Sequence, residues 1–119
     1  MLLMPFMVLL SCVGKQDPFV GRWTVEKVNV DFDENLSTPE MVRQYGEIEK
    51  GNIIEIGKDS TLVFISDGDT MRGKCSLRGT QLFLEGMLFG RYEDGLIEIE
   101  TVTPLGEVAV VYSKQNPFL

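Results

Sequence analysis

From residue 52 onward, the sequence is divided into short segments in which apolar and polar residues alternate. This pattern constrains the fold more than any other feature, because a period of two is typical of strands that bury one face. The breaks between segments carry glycine, aspartate or proline, which supply the positive or fixed φ of tight turns. Seven strands are predicted in this way, over residues 52–56, 61–66, 70–77, 81–85, 87–92, 96–102 and 107–114.

An eighth strand is predicted earlier in the chain, where residues 19–28 alternate β-branched and aromatic side chains with polar ones. After it, Ser37, Thr38 and Pro39 are typical of a helix start, and we expect the helix to end near Gly46. The sequence therefore predicts an all-β fold, an eight-stranded antiparallel up-and-down meander with one short helix after the first strand. Closure into a barrel is expected, because it removes the exposed sheet edges.

The alternation also predicts which side chains face the interior of the barrel. An eight-stranded barrel has an interior that side chains can fill or that can hold one small ligand. The predicted inward residues are Trp23, Val25, Ile54, Ile56, Leu62, Phe64, Met71, Cys75, Leu77, Leu82, Leu84, Ile97, Ile99, Val108 and Val110.

The N-terminal segment differs in composition from the rest of the chain, since its first ten residues are all apolar and residues 1–13 carry no charge. Ten residues are too few to cross a bilayer core of about 30 Å as a helix, but they suit the apolar region of a secretory signal. The segment ends in Leu9-Leu10-Ser11-Cys12. This ending resembles the bacterial lipobox, a motif in which the cysteine is lipidated and the chain is cut just before it.

The resemblance to a lipobox predicts how the chain is divided. Signal peptides normally begin with a basic residue, and none precedes Lys15, so we expect the true start codon to lie upstream. The alternative is a buried N-terminal strand with a core cysteine, which Pro5 argues against. The predicted regions are a signal peptide at 1–11, a lipidated cysteine and tether at 12–18, a barrel domain at 19–114 and a tail at 115–119.

Lipidation of Cys12 would leave Cys75 without a disulfide partner, and we expect Cys75 to be a small buried hydrophobic residue.

The composition argues against several classes of function. With 18 Asp and Glu against 11 Lys and Arg, the net charge is −7, and the chain lacks the basic clusters that nucleic acid binding requires. It contains no histidine, so the Ser-His-Asp and Cys-His pairings and most zinc sites cannot form. Glu98 and Glu100 share one strand face, where we expect them to be solvated. The sequence therefore predicts no enzyme activity, no cofactor and no metal site.

The start of the first strand carries a short motif, Gly21-Arg22-Trp23, with Phe19 ahead of it. This motif resembles the Gly-x-Trp signature of the lipocalin-like (calycin) barrels. The resemblance implies that the glycine allows close passage of a neighbouring strand, that the tryptophan plugs the closed end, and that a basic residue of the last strand lies across its ring. Lys114 is the matching basic residue, and such a contact contributes about 0.5–1 kcal/mol when exposed.

The resemblance to bacterial lipocalin-like lipoproteins implies a membrane-anchored protein that binds a small apolar or amphipathic ligand in its barrel. Arg91 would bind a ligand carboxylate if its strand face is the interior one. The other expected ligand contacts are apolar, namely Phe64, Met71, Leu82, Leu84 and Ile97.

The alternative function is that of a structural or interaction lipoprotein with the same fold, a filled barrel and a protein partner that the sequence does not identify. In both cases the acylated Cys12 binds the lipid bilayer. The expected location is the cell envelope of a Gram-negative bacterium, at the outer membrane. The volume inside the barrel distinguishes the two functions, because a ligand of this kind needs a pocket of about 300 Å³ or more.

Overall fold

The computed structural model describes residues 19–115 and shows eight antiparallel strands in a closed barrel. Each strand pairs with the next along the chain, and β8 pairs with β1, so the predicted fold class is confirmed. The signal peptide, Cys12, the tether and residues 116–119 lie outside the described residues. The elements are β1 (Gly21–Phe32), α1 (Pro39–Glu49), β2 (Ile53–Ile56), β3 (Thr61–Ser66), β4 (Asp69–Arg78), β5 (Gln81–Leu84), β6 (Met87–Glu93), β7 (Leu96–Thr103) and β8 (Gly106–Lys114).

The strands run alternately between two ends of the barrel. We define the closed end as the one where β1 begins and β8 ends, and the open end as the one that carries α1 and the β3–β4 turn. Asp67-Gly68 and Asp94-Gly95 connect their strands through two residues that both have positive φ. This geometry matches type I′ turns, whose twist suits hairpins, and it accounts for the Asp-Gly breaks in the sequence.

The core lies inside the barrel, and most of the predicted inward residues are buried there. Met71 and Leu77 are exceptions, since they pair with the inward residues Phe64 and Leu82 but are 47% and 37% exposed. Both lie near an end of β4, where the barrel does not enclose them. The buried apolar residues are Phe19, Trp23, Phe32, Ile54, Ile56, Leu62, Cys75, Leu82, Leu84, Ile97, Val108, Val110 and Tyr112.

Helix α1 extends one turn beyond its predicted end at Gly46. Its start is as predicted, because the Thr38 hydroxyl accepts a hydrogen bond from the Met41 amide at 3.2 Å. A glycine inside a helix costs about 1 kcal/mol relative to alanine. Tertiary packing offsets this cost, since Tyr45 meets the Phe32 ring edge-on at 5.3 Å and Val42 packs against the core.

Strand β6 contains a bulge that changes which residues face the interior. Leu82 pairs with Gly90 and Phe83 with Leu88, so Phe89 is an extra residue on its strand. Phe89 packs against the core, whereas Arg91 lies on the outer face and forms an ion pair with Glu93 at 2.6 Å. The condition for the predicted role of Arg91, an interior strand face, is therefore not met.

Candidate ligand-binding cleft

The closed end of the barrel is plugged by Trp23, which is only 1% exposed. Its indole Nε1 donates a hydrogen bond to the Phe19 carbonyl at 3.1 Å, and its ring meets that of Tyr92 edge-on at 5.9 Å. The Phe19 ring also packs against that of Tyr92 at a tilt, with 5.1 Å between ring centroids. These three aromatic residues fill the closed end of the barrel.

Gly21, Trp23 and Lys114, the three residues that resemble a lipocalin-like signature, lie together at the closed end. Lys114 is the direct pairing partner of Trp23 across β1 and β8. Gly21 has a φ of +145°, and a β-carbon there would lie 2.6 Å from Cε of Lys114. Glycine at this position therefore allows the Lys114 side chain to pass close to the backbone of β1.

Three of the predicted ligand contacts form part of the packed core. Leu82 and Ile97 are fully buried, and Leu84 is 7% exposed. They belong to the same cluster as Ile54 and Leu62, which are also fully buried. This part of the interior is filled by side chains, as is typical of an eight-stranded barrel.

The other two apolar contacts, Phe64 and Met71, line a cleft of about 390 Å³ at the open end. They are direct pairing partners on β3 and β4. Helix α1 contributes Tyr45 and Ile48 to the opposite wall. Ile48 and Met71 are each nearly half exposed, so the cleft is open to solvent between them.

The rim of the cleft is acidic. Glu49 of α1 and Asp67 and Asp69 of the β3–β4 hairpin line it, together with the hydroxyls of Ser66 and Thr70. None of its lining residues is basic. The cleft therefore combines an apolar wall with a negatively charged rim, which favours a ligand with an apolar body and a cationic end.

A buried polar network holds Glu49 in place. Asn52 is only 1% exposed, and its Nδ2 donates hydrogen bonds to Glu49 Oε1 at 2.8 Å and to the Tyr112 hydroxyl at 3.2 Å. Oδ1 of Asn52 is buried and has no hydrogen-bond partner among the described residues. Burial raises the pKa of Tyr112 to about 12, so its hydroxyl stays neutral at physiological pH.

Sequence reasoning missed the residues that α1 brings to the site. Tyr45, Ile48 and Glu49 lie on a helix whose position depends on tertiary contacts. Asn52 lies at the start of a predicted strand. It differs from an ordinary polar residue there only in being buried, which the sequence does not show. A helix of this length between β1 and β2 could have indicated that one end of the barrel is partly covered.

No family model matches this chain, and no curated protein or solved structure matches it significantly.

Within residues 19–115, no helix is long and apolar enough to cross a membrane. No group of His, Cys, Asp and Glu side chains in the same region is arranged to hold a metal ion. The single cysteine of this region, Cys75, is a buried free thiol whose pKa burial raises.

Proposed function

We propose that this protein is a lipid-anchored, lipocalin-like binding module that holds a small amphipathic ligand at the open end of its barrel. The observation that carries the proposal is the cleft of about 390 Å³ between α1 and the β3–β4 hairpin. Ligand pockets commonly have volumes of about 300–1,000 Å³ and combine apolar walls with a few placed polar groups. This cleft has both properties.

The lining of the cleft supports a particular orientation of the ligand. Its apolar part packs against Phe64 and Met71, while a cationic end lies beside the carboxylates of Glu49, Asp67 and Asp69. The hydrogen bond from Asn52 orients the Glu49 carboxylate, so that its charge is fixed near the cleft.

The ligand proposal can be tested by calorimetric titration with three dodecyl amphiphiles below their micellar concentrations. We expect dodecyltrimethylammonium to bind, dodecyl maltoside to bind more weakly and dodecyl sulfate to bind weakest. Met71→Lys places a cation in the cleft and should weaken binding of the cationic probe by about tenfold or more, which is about 1.4 kcal/mol. Met87→Lys is the matched control, because Met87 is 73% exposed and does not line the cleft.

Two outcomes of this titration have different meanings. Equal affinity for all three amphiphiles would retain the binding function but contradict the preference for a cation. No binding of any amphiphile would contradict the binding function and support the alternative, a structural or interaction lipoprotein. The packing of Leu82, Leu84 and Ile97 inside the barrel is the observation that favours that alternative.

The membrane anchor rests on the sequence at Cys12, which lies outside the described residues. Several acyl chains, at about 0.8 kcal/mol per buried methylene, would hold the protein firmly on a bilayer. The proposed location is the outer membrane of a Gram-negative bacterium. We expect cells that express the full chain to incorporate labelled palmitate, and Cys12→Ala to abolish the label. Cys75→Ala is the matched control and should retain it, whereas persistent labelling of Cys12→Ala would contradict the anchor.

A further inference from the structure

The barrel wall is incomplete between β6 and β7. Their ladder has three residue pairs, all near the closed end, from Glu93–Leu96 to Arg91–Glu98. In contrast, β7 and β8 are joined by eight pairs along the whole of β7. Residues 99–103 of β7 therefore pair with β8 on one side and have no ladder partner on β6.

The bulge in β6 accounts for the opening. At Gly90 the two strands are still close, since a β-carbon there would lie 2.6 Å from the carbonyl oxygen of Glu98. Beyond Gly90, the extra residue Phe89 changes the register, and Met87 and Leu88 pair with β5 only. A bulge bends the strand that carries it, so the two strands separate towards the open end.

The turn geometry shows which backbone groups of β7 face the opening. In a two-residue hairpin such as Asp94-Gly95, the flanking residues, here Glu93 and Leu96, exchange hydrogen bonds. Backbone groups of alternate residues in a strand point to the same side, and the position of the Glu98 carbonyl beside Gly90 agrees with this. Glu100 and Val102 therefore direct their N–H and C=O groups towards the opening.

The surface around the opening is both apolar and acidic. Leu88 lines it, Val102 belongs to the part of β7 that has no ladder partner on β6, and the two side chains are 60% and 79% exposed. A depression of about 190 Å³ between the strands is lined in part by Glu98 and Glu100. A second depression, of about 230 Å³, extends from these two glutamates across β8 to β1.

The second depression adds the carboxylates of Asp31 and Glu107, which face each other across β1 and β8. None of its lining residues is basic. Arg91 lines the first depression, but its guanidinium is paired with Glu93. The surface thus has an excess of negative charge beside a strand edge that is unpaired among the described residues.

We propose that residues 99–103 of β7 bind an extended peptide segment of a partner protein, in which basic and apolar residues alternate. The backbone of the segment would pair with Glu100 and Val102, as in strand addition to a sheet edge. Its outward side chains would lie beside Glu98 and Glu100, which favours lysine or arginine there. A second copy of this chain is disfavoured, because its own β7 edge carries the same acidic residues.

The probe is a fluorescent peptide of about ten residues in which lysine and valine alternate, and its binding is measured by anisotropy. We expect binding that weakens as salt is added, because it pairs lysines with carboxylates. A peptide of alternating glutamate and valine, and one with the lysines and valines in separate blocks, should each bind at least about tenfold more weakly. Failure of the alternating lysine peptide to bind, or equal binding of the block peptide, would overturn the proposal.

Val102→Pro tests the backbone pairing directly. Proline removes the N–H that faces the opening, and it leaves the ladder hydrogen bonds to β8 in place. Proline is tolerated at such edge positions of a sheet. We expect this variant to weaken peptide binding by about tenfold or more, while Val102→Ala, which keeps the N–H, changes it by less than about threefold. Equal loss in the two variants would contradict strand addition.

Amide hydrogen exchange of the wild-type protein provides a test that does not depend on a variant. Without peptide, we expect the amides of Glu100 and Val102 to exchange faster than that of Thr101, which faces β8. The lysine–valine peptide should slow exchange at Glu100 and Val102. Unchanged exchange at saturating peptide would overturn the proposal, whatever the result of the dodecyl amphiphile titration, because the cleft and the β7 edge are separate surfaces.

Discussion

Trp23→Ala is expected to lower the free energy of unfolding by about 3–5 kcal/mol, the range for truncating a large buried aromatic residue. Trp23 is 1% exposed and fills the closed end against Tyr92. Its removal leaves a cavity at this end and takes away the hydrogen bond that the Phe19 carbonyl accepts. The cavity remains, because the neighbouring aromatic side chains cannot fill the indole volume without moving strands.

The measurement is urea unfolding followed by far-ultraviolet circular dichroism, because Trp23 is the only tryptophan in the chain and its fluorescence is lost in the variant. Trp23→Phe is the matched control. This variant retains a ring at the closed end but lacks the indole N–H. Its free energy of unfolding should therefore fall by less, about 1–3 kcal/mol. A loss below about 1 kcal/mol for Trp23→Ala would show that the tryptophan does not close the barrel.

The fold could be predicted from the sequence because its determinants are local. Each hairpin is specified by a short turn, such as Asp67-Gly68 or Asp94-Gly95, and by the alternation on either side of it. Period-two alternation assigns most inward residues correctly, since every strand buries one face. Closure of the barrel follows from the need to pair the two remaining edges, those of β1 and β8.

The candidate site could be predicted only in part. Parity along β3 and β4 placed Phe64 and Met71 towards the interior, and both line the cleft. The predicted role of Arg91 depended on unbroken alternation in β6, and a single extra residue, Phe89, moves it to the outer face. The contribution of α1 depends on packing of Tyr45 against Phe32, two residues that no local pattern connects.

The opening beside β7 was likewise beyond sequence reasoning. It arises from the same bulge, which shortens the β6–β7 ladder to three pairs. A glycine inside a strand often marks a bulge, and Gly90 lies beside this one, but the segment from Met87 to Glu93 does not show which residue is the extra one. The consequence for function is that one extra residue decides both where Arg91 points and whether the barrel has an edge.

Gly106→Ala is expected to lower the free energy of unfolding by about 3 kcal/mol or more. Gly106 has a φ of +148°, which side chains rarely adopt, and it pairs with Phe32 at the end of β1. A β-carbon there would collide with the Asp31 carbonyl oxygen and lie 2.8 Å from Cα of Phe32. Because both obstacles are backbone atoms of the longest strand, relief requires displacement of β1 from β8, which is the seam that closes the barrel.

The control for this prediction is Gly46→Ala in α1. A β-carbon at Gly46 meets nothing within 4 Å, and its φ is not in the positive range, so alanine should raise the free energy of unfolding by about 0.5–1 kcal/mol through helix propensity alone. Urea unfolding of both variants, with the same circular dichroism signal, compares the same chemical change at two glycines. If Gly106→Ala were as stable as the wild type, the close approach of β1 and β8 at Gly106 would be wrong. The register of the part of that seam that pairs Phe32 with Gly106 would then need revision.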